Sequence, residues 1–144
     1  MNAKDFLQRF KKLDKLIENK TVEAEQWHAI ATNTTSNMSG ERVDSSPNPH
    51  RTEEAIAKYM DLEAEAKRCV DAFIAAKLDA IRVIEQLSAT EYDILHKIYV
   101  QDFTLQDVAF KYGRAYTWAT TTHGRALAHV QEILNKRKAE TCTS

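Results

Sequence analysis

The side chains best suited to chemistry in this chain of 144 residues stand in one short run: Tyr116, Thr117, Trp118, Thr120, Thr121 and Thr122. Hydroxyls donate to or accept from base edges and phosphates, and a threonine methyl or an aromatic ring fits against the thymine methyl. Threonine and aromatics are indifferent helix formers, so the run is out of place on a helix that serves only packing. Cations that suit phosphates flank it, at Lys111, Arg114 and Arg125, with Lys136, Arg137 and Lys138 further on. The plainer readings are a solvated polar face for the hydroxyl run and helix-end charges, favoured by the dipole, for the last three cations.

Other chemistries find little support. His28, His50, His96, His123 and His129 show neither metal-ligand spacing nor a paired carboxylate, and Cys69 and Cys142 form no CxxC pair. Three glycines leave little scope for a phosphate-cradling loop, and no nucleophile stands beside a base. The expectation is a protein without metal, cofactor or small-molecule substrate that is not an enzyme.

The elements that must position the hydroxyl run are helices. Gly and Pro total five residues, too few turn-makers for an all-β or α/β domain, and 43% hydrophobic content is too high for a disordered chain. Phe6, Phe10, Leu13, Ile17, Lys20, Ala24, Trp27 and Ala31 alternate four and three apart, a heptad stripe interrupted only by Lys20. A second stripe runs through Ala55, Tyr59, Leu62, Ala66, Cys69, Phe73, Ala76, Ala80, Val83 and Leu87. Val70, Ile74, Leu78, Ile81 and Ile84 widen its second half, so that face should meet more than one neighbour. These patterns predict an all-α chain. Long helices over about 3–31 and 53–87, the second capped by Thr52, pair as an antiparallel, coiled-coil-like hairpin across a flexible loop at 32–51.

From Ser88 onward the helices shorten. Ser88-Ala89-Thr90-Glu91 and Thr104-Leu105-Gln106-Asp107 read as two capping boxes, Gly113 ends the second helix, and a third helix covers about 115–136. The resulting unit, 88–138, has the spacing of a helix-turn-helix whose longer helix enters the major groove; 139–144 is expected to be a disordered tail.

The segment from Thr104 to Val130 resembles region four of bacterial sigma factors. Thr104, Leu105, Gly113, Ala126 and Leu127 coincide with that family's typical residues, and Val108, Tyr112, Arg125 and Val130 are conservative matches. The chain as a whole resembles small phage and prophage proteins grouped with late transcriptional regulators of the ArpU and RinA type. That likeness rests on the start Met1-Asn2-Ala3-Lys4-Asp5-Phe6-Leu7, the stretch Arg42-Val43-Asp44-Ser45-Ser46 and the sigma-like unit. The resemblance implies double-stranded DNA as partner, with Tyr116, Thr117, Thr120 and Thr121 reading bases and Thr104, Lys111, Arg114 and Arg125 on phosphates. Sigma factors carry Arg, Glu, Arg and Gln at the four base-reading positions, so a standard promoter element is not implied. They also carry isoleucine where Ala119 and Thr122 stand, a loss of bulk that an inward-folded Trp118 would offset.

A net charge of −1 argues at first against nucleic acid. Divided along the chain, it reads otherwise: residues 52–103 hold six basic and eleven acidic side chains, residues 104–138 six basic and two acidic. The positive surplus therefore sits on the expected reading unit. Its acidic neighbour keeps a second class open, a helical module that binds host RNA polymerase or another protein without reading DNA. The wide stripe at Val70, Ile74, Ile81 and Ile84 predicts a homodimer seam. No run of about 20 apolar residues suggests a membrane span, and the N-terminal stretch lacks the apolar block of a signal peptide, which leads us to expect the cytoplasm of a bacterial host cell.

Overall fold

The computed structural model describes residues 1–36 and 49–143 and is all-α, with no strand among the described residues. Its elements are α1 (Ala3–Ser36), α2 (Pro49–Ile84), α3 (Ala89–Leu95, followed by one π-helical turn, His96–Val100), α4 (Leu105–Tyr112) and α5 (Tyr116–Thr143). No helix among the described residues is long and apolar enough to cross a membrane.

Several ends differ from the sequence expectation. Residues 32–36 and 49–51 are helical, and the rest of the expected 32–51 loop, with Arg42 to Ser46, lies outside the described residues. Thr52 lies inside α2 rather than ahead of it, because the helix starts three residues earlier at Pro49, a residue whose preset φ and missing N–H suit a first helical position. The expected tail at 139–144 is a continuation of α5 as far as Thr143. Threonine hydroxyls are accommodated within these longer helices. Thr32 donates to the His28 carbonyl at 2.9 Å, Thr141 to that of Arg137 at 3.0 Å and Thr143 to that of Ala139 at 3.0 Å, so residues typical of turns satisfy themselves inside the helix. At the other boundary α2 stops at Ile84 rather than 87, its last turn tightening through i→i+3 bonds from Gln86 to Val83 and from Leu87 to Ile84.

The contacts divide the chain into two compact units, Met1–Phe10 with Ala75–Ser144, and Lys11–Ile74. This differs from a boundary at 87: the start of α1 and the last part of α2 pack with the C-terminal helices. In the Lys11–Ile74 unit, Ala24 and Ala55 are buried, Lys20 pairs with Glu65 at 2.8 Å, and the His28 and Tyr59 rings lie 4.9 Å apart. Lys20, the polar break in the first stripe, thus has an anionic partner, which raises its pKa and lowers that of Glu65.

The other unit holds the principal core, built from Phe6, Leu7, Phe10, Val83, Ile84, Ile94, Leu95, Val108, Ala126 and Val130. Two polar ties fix the N-terminal residues there. The Ala3 amide donates to Gln131 Oε1 at 2.8 Å, and Asp79 accepts from Arg9 at 3.1 Å and from Arg137 at 2.9 Å. Arg137, one of the three late cations, is thereby half-buried and committed to an internal ion pair.

Candidate nucleic-acid interface

Thr104 and Asp107 open α4 reciprocally: the Asp107 amide donates to the Thr104 hydroxyl and the Thr104 amide to the Asp107 carboxylate, both at 3.0 Å. The bond from the Thr104 backbone holds the Asp107 carboxyl below the usual range. Gly113 closes the helix in the left-handed conformation, φ 62° and ψ 36°, which a side chain would strain. Its amide donates to Phe110 O at 3.1 Å and that of Arg114 to Ala109 O at 2.9 Å, so the chain reverses within three residues. Ala115 then accepts from the amides of Trp118 and Ala119, starting α5.

Val108 and Ala109 of α4, Ile94, Leu95 and Tyr99 from α3 and its π-helical turn, and Ala119, Ala126 and Val130 of α5 bury the inner faces of this assembly. Two hydrogen bonds orient it. Tyr112 donates to Asp93, which also receives Lys97; burial pulls the Asp93 carboxyl up, but these two donors outweigh it and the net shift is downward. Burial, then the bond to Asp93, push the Tyr112 phenol up to about 12, so it stays a donor. Tyr99 meets His123 Nε2 at 2.9 Å with the rings stacked. Burial lifts the Tyr99 phenol to about 12 and, with Lys4 nearby, lowers the His123 pKa.

Of the four expected base readers, Tyr116, Thr117 and Thr121 are exposed at the start of α5, Tyr116 by 54%. Thr120 is only half-exposed and its hydroxyl donates to Thr117 O at 2.9 Å, leaving its lone pairs and methyl for a ligand. Thr122 likewise donates back, to Trp118 O. Trp118 is half-buried against Tyr112, ring centroids 5.1 Å apart.

The expected phosphate ligands separate by role. Lys111, Arg114 and Arg125 are exposed. The Arg114 guanidinium lies 5.4 Å over the Trp118 ring and the Lys111 ammonium 5.3 Å over Phe103, contacts that hold both near the turn. Thr104 spends its hydroxyl oxygen on the cap, so a phosphate would meet its O–H rather than its lone pairs.

Gly124 is a further residue of this surface. It is helical, exposed on the same side as Thr117, Thr121 and Arg125, and an added Cβ would meet nothing within 4 Å. A glycine in mid-helix costs stability relative to alanine, and packing within the chain does not require one here. A glycine within an apolar-periodic segment was the available signal. Phe110 is 88% exposed and, with Phe103, Asp107 and Lys111, lines a shallow open depression. The expected seam divides: Val70 and Ile74 are exposed, Ile81 is half-buried, and Ile84 lies in the core at 1% exposure, where no second chain can reach it.

Compared with protein-family models, curated proteins and solved structures, the chain matches none of them.

Proposed function

We propose that this chain is a sequence-specific DNA-binding regulator of phage or prophage transcription, acting in the cytoplasm of a bacterial host, with α4, the turn at Gly113 and α5 working as a helix-turn-helix. One observation carries the reading. The first turns of α5 present Tyr116, Thr117, Thr121, a bare Gly124 and Arg125 together, just after a glycine-closed turn that bears Lys111 and Arg114. Helix N-terminal turns carrying hydroxyls suit base edges, flanking cations suit phosphates, and a glycine lets a backbone approach closely. The six basic and two acidic residues over 104–138 add a field of the right sign. The resemblance to sigma region four points the same way, and the Lys20–Glu65 and His28–Tyr59 pairs support reading α1 and α2 as an antiparallel hairpin.

The test is selection of bound duplexes from a random library, followed by gel shifts at two salt concentrations with wild type, Thr117→Ala/Thr121→Ala and Arg125→Ala. Wild type should enrich one sequence. Arg125→Ala should weaken all duplexes alike and reduce the slope of log affinity against log salt by about one, whereas the threonine changes should alter sequence preference. No enrichment over random DNA refutes the reading.

One feature favours a second reading, in which the sigma-like unit binds host RNA polymerase or another protein without reading DNA. Phe110 stands almost fully exposed on α4, and a large apolar side chain beside Phe103 is a common protein contact. Polymerase capture that Phe110→Ser abolishes, with no selected DNA, would establish that reading instead.

A further inference from the structure

α2 carries two heptad stripes rather than one. The first, Ala55 through Val83, is buried or half-buried along its length. The second runs Ala57, Met60, Ala64, Lys67, Asp71, Ile74, Leu78 and Ile81, alternately three and four apart, and lies about 150° around the helix from the first at 100° per residue. Every member from Ala57 to Leu78 is exposed, Met60 by 62%, Ile74 by 49% and Leu78 by 47%, while Ile81 is half-buried. Spacing of this regularity over roughly 36 Å is the pattern of a helix-packing face, although Met60, Ala64 and Lys67 also line a groove with Thr21, Ala24 and Glu25 of α1.

We propose that a second copy of this chain covers the stripe, the two α2 helices pairing antiparallel about a two-fold axis at Arg68–Val70. The order of residues selects that occupant. Read from both ends toward the middle, the stripe is complementary to itself: Ala57 faces Ile81 of the second copy, Met60 faces Leu78, Ala64 faces Ile74, and Lys67 faces Asp71. Antiparallel coiled coils bring an a position against a d position in each layer, and all of these layers do so. Six positions are apolar against apolar; the two charged ones meet as opposite charges, twice, at the centre.

Other arrangements of the same stripe are worse. A parallel pair in register sets Lys67 against Lys67 and Asp71 against Asp71 inside a seam, where like charges are costly. Shifting the antiparallel register by one heptad places Lys67 and Asp71 against apolar residues and strands both charges. Lys67 and Asp71 thus specify orientation and register, as single polar core positions do in coiled coils. The cost of the chosen register is a like-charge contact of Arg68 with its own copy at the solvent-exposed edge, where such contacts are weak. The seam differs from the one expected from the sequence: Ile74 and Ile81 belong to it, Val70 flanks it at the axis, and Ile84 has no part.

Sedimentation of the full chain at up to about 100 μM tests this, comparing wild type, Lys67→Asp, Asp71→Lys and the double exchange Lys67→Asp/Asp71→Lys, with helicity followed by circular dichroism. Both changed residues are exposed and helix-compatible, so folding should survive in each variant. Wild type should be a dimer. Each single change should weaken association by at least about tenfold, and the double exchange should restore it, because it re-forms two opposite pairs only in the antiparallel register. A monomeric wild type, unaffected single variants, or a double exchange as weak as the singles each overturns the proposal. The outcome does not depend on DNA binding.

Discussion

Gly124→Ala isolates one physical effect. The position lies eight residues into a helix that continues to Thr143, so end fraying does not dilute the change. An added Cβ meets nothing within 4 Å, so neither a clash nor new packing contributes, and what remains is the smaller backbone entropy lost on folding. That is worth about 0.5–1 kcal/mol in favour of alanine. With an unfolding entropy near 2.1 cal/mol/K per residue, 1 kcal/mol corresponds to about 3 °C if the whole chain melts together and about 6 °C if the unit containing α5 melts alone. Urea and thermal unfolding should therefore show Gly124→Ala more stable than wild type. The DNA reading adds an opposite expectation: a methyl between Thr121 and Arg125 should hold the backbone off its ligand and weaken binding several-fold. An unchanged or lower melting temperature refutes the entropy reasoning. A stabilised variant with wild-type affinity refutes the role given to the glycine.

Four further outcomes are expected. Tyr112→Phe removes the donor to Asp93 and should cost about 1.5 kcal/mol, the range for a hydrogen bond to a charged group, measured by urea unfolding; no loss would mean the bond contributes nothing. Replacing Asp79 by Asn leaves Arg9 and Arg137 without their shared carboxylate; because these groups are only partly buried, the cost should be about 1 kcal/mol or less, with earlier proteolysis of the first ten residues. NMR titration should find His123 protonating below 6.5 and His129, whose bond to Glu91 favours the cation, above it. A lowered folded pKa means that the unfolded chain binds the proton more readily, so the His123 contribution falls as pH drops below 6.5. The His129 contribution has the opposite sign, present below 6.5 and lost as pH rises through its raised folded value.

The class of the fold was legible because it depends on short-range rules. Few turn-makers and apolar residues at heptad spacing leave only helices as the way to bury those side chains. The box at Thr104 and the glycine at 113 are local devices whose partners lie within four residues, and both occur as expected. The hydroxyl run at 116–122 was visible by composition, and Trp118 within it is half-buried against Tyr112. Helix ends were harder to read. Thr32, Thr141 and Thr143 have the composition of turns, but each bonds to a carbonyl one turn back, and composition does not reveal that choice.

By itself, then, the sequence determined helix type, the heptad phase of the buried stripes and the two ends of α4 at Thr104 and Gly113, because these depend on residues within one or two turns of each other. Tertiary structure decided which apolar and charged residues were spent inside. It set Ile84 in the core, tied Arg137 to Asp79, and brought the first ten residues onto the C-terminal helices through Gln131 and Asp79. It also left Gly124, Phe110 and the second stripe of α2 facing outward. Those outcomes depend on contacts between residues as many as 128 positions apart, and spacing along a single helix carries no information about which of its faces a distant segment will cover.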